Sequence, residues 1–268
     1  MIPKIIHYCW FGHGSLSSDA EKFIGTWKKN CPDFTIIEWN ENNFPIDNYI
    51  YAKEAYNAKK WAFVSDVARL YALVNIGGIY MDTDVELLAN FNDFLELQAF
   101  SGFESEKGIN TGLLACEKGF HIFATMLKQY ETEHFIHFDG CNDLTTNVTR
   151  LTNICLKNGL LLNNKFQMIS GLTLFPTEVF CPLNQQTGKI DITENTVAIH
   201  WFSGSWKSKE EIDVHKKAVS YKNRFGFLGN VIAFFYENSF KVFYIVKTDG
   251  ITALIFRIKK YISKNLRL

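Results

Sequence analysis

Two aspartates one residue apart, Asp82 and Asp84, are the pair in this chain best suited to bind a cation. They follow the short apolar segment 79–81, which is typical of a buried strand. In extended backbone the side chains of residues i and i+2 point to the same face, so the two carboxylates project together. Like charges that close repel each other, whereas a divalent cation between them attracts both. The alternative is an ordinary Asp-rich turn that ends a strand.

The expected cation is Mg²⁺ or Mn²⁺. Hard carboxylate oxygens on a partly open site suit both ions, which usually keep waters and complete their coordination with the phosphates of a substrate. The spacing of the two aspartates therefore predicts a metal site that anchors a phosphate.

A helix predicted over residues 60–75 must position this site. Gly77 and Gly78 follow it where a helix ends. Asp66 and Arg69 lie three residues apart and hence on one face of the helix. An exposed ion pair of this kind contributes less than about 1 kcal/mol to stability. The alternative to a functional pair is therefore an ordinary surface ion pair. Apolar residues recur at helical spacing at Trp61, Val64, Val67, Ala68, Tyr71 and Val74.

The segments 63–70 and 77–84 resemble the signature of glycosyltransferase family 32, whose members have a sugar-binding region with a DXD motif. Residues 2–12 resemble the first strand of that family, and residues 27–40 its next helix and second strand. Residues 200–206 resemble its closing His-to-Ser-Trp block. The motif segments are also similar to the glucosyltransferase domain of large clostridial toxins. The resemblance spans residues 2–206, in the order of the family.

The resemblance implies a GT-A type α/β fold, a single Rossmann-like domain with a mixed central sheet and flanking helices. We expect this catalytic domain to occupy residues 1–206 and a basic helical extension to occupy residues 207–268. Residues 119–158 are predicted to be largely helical, because apolar residues such as Phe123, Met126 and Leu127 share one helical face.

The resemblance also implies roles for individual residues. Trp10, after the first strand, would stack on the donor's base, although from sequence alone it could equally belong to the core. Asp66 and Arg69 would hold hydroxyls of the donor sugar. Asp82 would lie near the ribose and the metal, and Asp84 would ligate the metal.

Four further residues are implied at the same site. His200 closes the apolar segment 196–199 and would be a metal or diphosphate ligand, with a purely structural histidine as the alternative. Ser205 and Trp206 would donate hydrogen bonds to phosphate oxygens, unless they form a polar turn beside a buried Trp. Asn110 would lie near the sugar and the acceptor.

The implied reaction is metal-dependent transfer from a nucleotide diphosphate sugar with retention of anomeric configuration. Negative charge on the departing diphosphate would be stabilised by the metal, His200, Ser205 and Trp206. Asp66 would offset charge on an oxocarbenium-like sugar. Because the paired carboxylates of retaining glycosidases are not evident, we expect front-face transfer with the departing phosphate as base.

A UDP-sugar is the favoured donor, since the most similar-looking relatives use one. The favoured acceptor is a lipid-linked glycan in the synthesis of a bacterial capsule, O-antigen, lipopolysaccharide or other surface polysaccharide. A glycosylating effector with a protein acceptor is one alternative, and a non-catalytic nucleotide or sugar-binding module is another. We expect no nucleic-acid partner.

Composition fits a globular cytoplasmic protein. The chain has 268 residues, of which 47% are hydrophobic and 15% aromatic, enough for a sizeable core. Its first residues run directly into a strand, so we expect no signal peptide. No run of 18 apolar residues predicts a membrane span. The six cysteines include no Cys-x-x-Cys pair, so we expect free, mostly buried thiols and no zinc site.

The net charge of zero conceals two unlike parts. Residues 1–206 contain 15 Lys and Arg against 23 Asp and Glu, whereas residues 207–268 contain 13 against five. Within the tail, residues 251–268 combine apolar positions at helical spacing with basic ones. Such a helix can lie on an anionic membrane, here the inner face of the cytoplasmic membrane, or its apolar stripe can pack on the protein's own core. The apolar positions are Ile251, Leu254, Ile255, Ile258 and Ile262, and the basic ones Arg257, Lys259, Lys260, Lys264 and Arg267.

Overall fold

The computed structural model describes residues 1–204 and 209–265. The chain forms two compact units, the first made of residues 1–184 with 189–206 and the second of residues 185–188 with 207–268. The assignment of a catalytic task to residues 1–206 stays a prediction, since compactness does not give either unit a function.

A mixed β-sheet of eight strands forms the centre of the first unit. Its order is β2-β1-β3-β7-β5-β9-β8, with β6 beside β5. The β1–β2, β1–β3 and β5–β9 pairs are parallel, and the other pairs are antiparallel. A separate antiparallel pair joins β4 and β10. The strands are β1 (Ile5–Cys9), β2 (Thr35–Trp39), β3 (Gly78–Met81), β4 (Val85–Leu87), β5 (Ala99–Ser105), β6 (Gly108–Ile109), β7 (Leu113–Cys116), β8 (Gln167–Ile169), β9 (Leu172–Phe175) and β10 (Ala198–His200).

Helices cover both faces of this sheet. On β3, Tyr80 belongs to a core with α3 and α4, whereas its neighbours Ile79 and Met81 belong to a second core that includes Trp27 of α1. The alternation along β3 is the one expected of a strand buried on both sides. The predicted α/β architecture with a mixed sheet and flanking helices is therefore confirmed. The helices are α1 (Ser18–Asn30), α2 (Ile50–Asn57), α3 (Trp61–Asn75), α4 (His121–Gln129), α5 (Asn147–Lys157) and α6 (Thr177–Phe180), with 3-10 turns at Ile46–Asn48 and Asn92–Phe94.

Two glycines join α3 to β3, where the sequence predicts the helix to end. Gly77 and Gly78 have φ of +78° and +109°, a region that favours glycine. A Cβ atom on Gly77 would lie 2.6 Å from the backbone nitrogen of Lys118, and one on Gly78 would lie 2.6 Å from the carbonyl oxygen of Ile5. The link between α3 and β3 can therefore turn tightly and still pack against the neighbouring backbone segments.

His7 fastens β1 to this link from inside the core. Trp39 Nε1 donates to His7 Nδ1 at 3.1 Å, so Nε2 carries the ring proton and donates to the carbonyl oxygen of Gly77 at 2.8 Å. Burial lowers the pKa of His7, although the hydrogen bond to Gly77 opposes the shift. The imidazole is therefore neutral in the folded protein.

The prediction of largely helical structure over residues 119–158 is wrong in part. Helices α4 and α5 lie at its two ends, but residues 130–146 form turns and an isolated bridge between Ile136 and Asn142. The physical reason is the run from Asp139 to Asp143, in which Asp, Gly and Asn favour turns over helix.

In the second unit the described residues Lys209–Asn265 are helical, and we name this element α7. A straight helix of that length would extend roughly 85 Å. The rings of Tyr221 and Tyr236, however, lie 5.7 Å apart, and His215 Nδ1 lies 3.5 Å from Glu237 Oε1. The helix therefore reverses direction between these pairs, at Gly226, where φ is +53°.

Three further expectations concern the thiols and the tail. Five of the six cysteines are buried and Cys141 is half-buried, which fits the expectation of mostly buried thiols. No helix among the described residues is long and apolar enough to span a membrane. In the tail, Ile251 and Ile258 are exposed, while the side chains of the other predicted stripe residues and Arg267 lie outside the described part of the chain.

Candidate functional site

Asp82 and Asp84 leave the central sheet at the end of β3. The backbone N–H of Asp82 donates to the carbonyl oxygen of Gly112 at 2.8 Å, which continues the β3–β7 pairing by one residue. The N–H of Val85 then donates to the carbonyl oxygen of Asp82 at 3.0 Å and closes a tight turn. Both carboxylates are partly exposed, so they remain accessible to a ligand.

His200 reaches the two aspartates through the small β4–β10 sheet. In this pairing His200 lies opposite Val85, and the N–H of Trp201 donates to the carbonyl oxygen of Asp84 at 2.9 Å. The His200 Nε2 atom consequently lies 3.2 Å from Asp84 Oδ1 and 4.0 Å from Asp82 Oδ2. The structure thus brings together the three residues that the sequence predicts as metal ligands.

These three side chains fit a divalent cation. One ligand atom from each lies within 4.8 Å of the others. In the described part of the chain, no other group of three His, Cys, Asp or Glu side chains is placed to hold an ion. Two carboxylates and one imidazole form a ligand set that Mn²⁺ accepts, and phosphate or water oxygens can complete it.

The charges at this site favour an ionised Asp84 beside a protonated His200. Burial alone would raise the pKa of Asp84. The adjacent His200 and the N–H of Ser203, which donates to Oδ2 at 2.7 Å, outweigh this effect, so the pKa is lower than usual. Burial lowers the pKa of His200, but Asp84 raises it well above its usual value. A cation at this point would take the place of the imidazole proton.

Gly112 packs against the same group, and the sequence reasoning missed it. A Cβ atom there would lie 2.5 Å from His200 Cε1 and 3.0 Å from Asp82 Oδ2. Any larger residue would displace the imidazole or the carboxylate. The available signal was the position of Gly112 two residues after Asn110, between two short apolar segments.

Arg69 joins Asp82, one of the three predicted metal ligands, to α3. Its Nη2 atom lies 3.2 Å from Asp66 Oδ1 and 3.2 Å from Asp82 Oδ1, and its Nη1 donates to the carbonyl oxygen of Thr111 at 2.7 Å. Its guanidinium lies over the Tyr80 ring at 4.5 Å. The Asp66–Arg69 pair is buried, so it is not the idle surface pair that the sequence left open.

Burial and charge shift the pKa values of this pair in a consistent way. Burial raises the pKa of Asp66 to about 6, with Arg69 opposing the shift and Asp82 adding to it. Burial alone would lower the pKa of Arg69, but Asp82, Tyr80 and Asp66 raise it above its usual value. At pH 7 Asp66 is therefore mostly ionised beside a permanently charged Arg69.

Asn147, at the first residue of α5, holds the backbone of Asp66 and was also missed. Its Nδ2 atom donates to the carbonyl oxygen of Asp66 at 2.7 Å, and its Oδ1 accepts from the Tyr130 hydroxyl at 2.7 Å. The available signal was Thr146, which caps α5 and so places Asn147 in the first turn. No local sequence pattern predicts the hydrogen bond between Asn147 and Asp66.

Asn110 is fully buried beside the turn that contains Gly112. Its Oδ1 accepts from the N–H of Gly112 at 2.8 Å, and its carbonyl oxygen accepts from the Ser101 hydroxyl at 2.6 Å. Its Nδ2 has no hydrogen-bond partner among the described residues. The predicted role near the sugar stays a prediction.

Trp10 follows β1 at the same edge of the sheet as Asp82 and Asp84. Because His7 pairs with Tyr80 in a parallel register, Trp10 and Asp82 both lie just beyond that pair. Its ring is half-buried, and Nε1 donates to the carbonyl oxygen of Gly14 at 2.7 Å. Stacking on a base stays a prediction. Ser205 and Trp206 lie outside the described residues, and so do their predicted contacts.

The family described as "Glycosyltransferase sugar-binding region containing DXD motif" matches residues 17–101. This range includes Asp66, Arg69, Asp82 and Asp84, but not His200.

Two curated proteins match part of the chain. It is 29% identical over 126 residues to inositol phosphoceramide mannosyltransferase 3 of Schizosaccharomyces pombe, a match that covers 44% of this chain and 34% of that protein. It is 34% identical over 124 residues to an uncharacterized glycosyltransferase of Acanthamoeba polyphaga mimivirus, which covers 42% and 48%. The matches therefore span less than half of either relative.

Solved structures with a similar arrangement include the PaToxG glycosyltransferase, with a TM-score of 0.45 and 20% identity over 58% of this chain and 68% of that one. The galactosyltransferase LgtC, in complex with donor and acceptor sugar analogs, has a TM-score of 0.40 and 13% identity over 81% of this chain and 95% of its own.

Proposed function

We propose that this chain is a metal-dependent retaining glycosyltransferase of the GT-A type, which moves a sugar from a nucleotide diphosphate sugar to a glycan. The observation that carries the proposal is the convergence of Asp82, Asp84 and His200 within 4.8 Å, directly beside the buried Asp66–Arg69 pair. Such a site would place a bound cation next to an ion pair that can hydrogen-bond to a sugar.

The metal group suits the diphosphate of the donor. Asp82, Asp84 and His200 would hold Mn²⁺ or Mg²⁺. When bound, the ion supplies positive charge that stabilises the leaving diphosphate. Ser205 and Trp206 would donate hydrogen bonds to the same phosphates.

Asp66 and Arg69 suit the sugar. The guanidinium is held at Nη2 by two carboxylates and at Nη1 by the carbonyl oxygen of Thr111, so its orientation is fixed before a ligand arrives. Asp66 is ionised at pH 7, given a pKa of about 6, and can accept hydrogen bonds from sugar hydroxyls or offset charge on an oxocarbenium-like sugar.

The remaining roles follow from what each side chain offers. Trp10 would stack on the base, with a UDP-sugar as the favoured donor. The buried Nδ2 of Asn110 has an unused donor that a hydroxyl of the donor or acceptor would satisfy. Transfer would occur on the front face, with the departing phosphate accepting the proton of the acceptor hydroxyl. We name no protein nucleophile.

A lipid-linked glycan in capsule, O-antigen or other bacterial surface polysaccharide synthesis is the acceptor we favour. The exposure of Ile251 and Ile258, on a basic helix, supports contact of residues 251–268 with an anionic membrane at the cytoplasmic face. Replacing Lys259 and Lys260 with Glu in the full chain should lower flotation with anionic vesicles. Unchanged flotation would count against this contact.

The central experiment is a nucleotide-sugar panel with Mn²⁺. We expect one donor to raise the thermal unfolding temperature in the presence of Mn²⁺, and to be hydrolysed slowly. Asp84→Asn should lose both effects, whereas Asp93→Asn, at an exposed aspartate outside the site, should retain them. No response to any donor would contradict the proposal. Protection without turnover, on any acceptor panel, would favour a binding module instead.

A further inference from the structure

The second compact unit contains eleven consecutive residues without a charge, 225–235, which we call the apolar turn. It lies where α7 reverses direction, beginning one residue before Gly226. Lys222 and Arg224 immediately precede it. The end of this helical hairpin is therefore apolar, with Lys222 and Arg224 on the arm that enters it and Glu237 on the arm that leaves it.

Two of the three small residues in the apolar turn are buried, whereas its large apolar residues are exposed. Gly229 and Ala233 are buried, and a Cβ atom on Gly229 would lie 2.0 Å from the carbonyl oxygen of Tyr221. Phe227 is 85% exposed, the highest exposure in the group. The other exposed large residues are Phe225, Leu228, Val231, Ile232, Phe234 and Phe235.

This distribution of buried and exposed residues is the reverse of that in a water-soluble helical hairpin. A hairpin in water places its large apolar residues between the helices and its polar residues outside. Contacts through small residues, with large apolar side chains facing outward, are typical of helices whose surroundings are lipid. An exposed apolar patch of this size marks an interaction surface rather than random variation.

The two arms hold the apolar turn in place. The Tyr221 and Tyr236 rings meet edge to face, and His215 contacts Glu237 across the hairpin. Asn223 Nδ2 donates to the carbonyl oxygen of Thr187 at 2.8 Å, within the same unit. These contacts hold the two arms together, so the large side chains are exposed side by side without any rearrangement of the hairpin.

Charge indicates what covers this surface. Residues 207–268 contain 13 Lys and Arg against five Asp and Glu, so a second copy of this unit would meet it with like charge. Anionic lipid headgroups attract Lys and Arg near the membrane surface. A bilayer with anionic lipids offers both the apolar layer and the complementary charge.

We propose that the apolar turn inserts into the interfacial layer of an anionic membrane, to a depth of roughly 5–10 Å, while Lys222 and Arg224 contact the headgroups. This contact is separate from the one suggested for residues 251–268 and does not depend on sugar transfer. It would hold the chain at a membrane whatever its acceptor is.

The test is flotation of the full chain with vesicles of phosphatidylcholine, alone or mixed with phosphatidylglycerol. We expect the wild type to float with the mixed vesicles, and Phe227→Asp with Phe234→Asp to lower the partition coefficient about tenfold or more. The matched control, Phe138→Asp with Phe166→Asp, changes two exposed phenylalanines of the first unit and should float like the wild type. Circular dichroism checks that each variant keeps its helix content.

Hydrogen exchange provides a second measurement on the unmodified protein. We expect backbone amides of residues 225–235 to gain protection when mixed vesicles are added. Equal flotation of the Phe227/Phe234 variant and the wild type, or no gain of protection, would overturn the proposal. So would light scattering that shows a dimer in the wild type and a monomer in the variant, with flotation unchanged, because the surface would then join two copies.

Discussion

The Nε2 atom of His200 lies 3.2 Å from Oδ1 of Asp84, although one residue ends β10 and the other follows β3. The contact is built by the β4–β10 pairing and by the hydrogen bond from the N–H of Trp201 to the carbonyl oxygen of Asp84. Backbone pairing therefore fixes the position of a side chain that is remote in sequence from the DXD motif.

Replacing His200 with Ala should lower the affinity for Mn²⁺ about 10- to 100-fold, because one of three protein ligands is lost. Isothermal titration with Mn²⁺ measures this directly and needs no donor. His121→Ala, at an exposed histidine of α4, is the control and should bind like the wild type. Equal affinity in the two variants would show that His200 is not a ligand.

Gly112→Ala should weaken Mn²⁺ binding without unfolding the protein. The new Cβ atom would lie 2.5 Å from His200 Cε1, so the imidazole must move away from the aspartates. Gly14→Ala is a matched control, because no heavy atom lies within 4 Å of its added Cβ. The same titration, with thermal unfolding of both variants, checks the result. Full affinity in Gly112→Ala would mean that the loop yields and His200 stays in place.

Arg69→Met should lower the free energy of unfolding by about 3 kcal/mol at pH 7, since Asp66 and Asp82 lose the cation between them. The loss should be smaller at pH 5, because a protonated Asp66 no longer needs a partner. Urea unfolding at the two pH values measures both quantities. A loss that does not change with pH would show that Arg69 does not lower the pKa of Asp66.

Asp66→Asn should change how stability depends on pH. The pKa of Asp66 is about 6 in the folded protein against 3.8 ordinarily, so the unfolded chain releases the proton first as the pH rises. Asp66 thus costs the wild type about 3 kcal/mol, gradually, between about pH 4 and pH 6. Asp66→Asn lacks this loss. Unfolding free energies of both proteins across that range should show the difference, and parallel curves would contradict it.

His7→Gln should have the opposite signature. The pKa of His7 is lowered by burial, so the unfolded chain binds a proton that the folded protein does not. The wild type therefore loses stability as the pH falls below about 6.5, and the variant does not. At pH 8 the variant should be less stable by about 1–3 kcal/mol, because a flexible amide replaces a packed ring that is bonded to both Trp39 Nε1 and the carbonyl oxygen of Gly77. Urea unfolding from pH 5 to 8 is the measurement.

The local part of the site was predictable from the sequence. The periodicity of α3, the glycines after it and the Asp-x-Asp spacing are short-range patterns, and the structure reproduces each of them. The resemblance predicts His200 as a metal or diphosphate ligand; the structure places it beside Asp84, and its role as a ligand stays a prediction.

The remaining part depends on tertiary contacts that leave no local pattern. The burial of Asp66 and Arg69 results from packing between α3, β3 and the turn near Thr111. The hold of Asn147 on Asp66 joins two helices that are far apart in the chain. The reversal of α7 follows from one positive φ at Gly226, which helical periodicity alone does not reveal.

The small β4–β10 sheet has a consequence for the order of assembly. All strands of the large sheet end by Phe175, so that sheet can complete its pairing before residue 200 leaves the ribosome. His200, the third predicted ligand for the cation, then arrives last. An ion shared by Asp84 and His200 would bind the folded chain and not the unfolded one, and so would stabilise the finished fold by mass action. Metal capture would thus select complete chains over nascent ones.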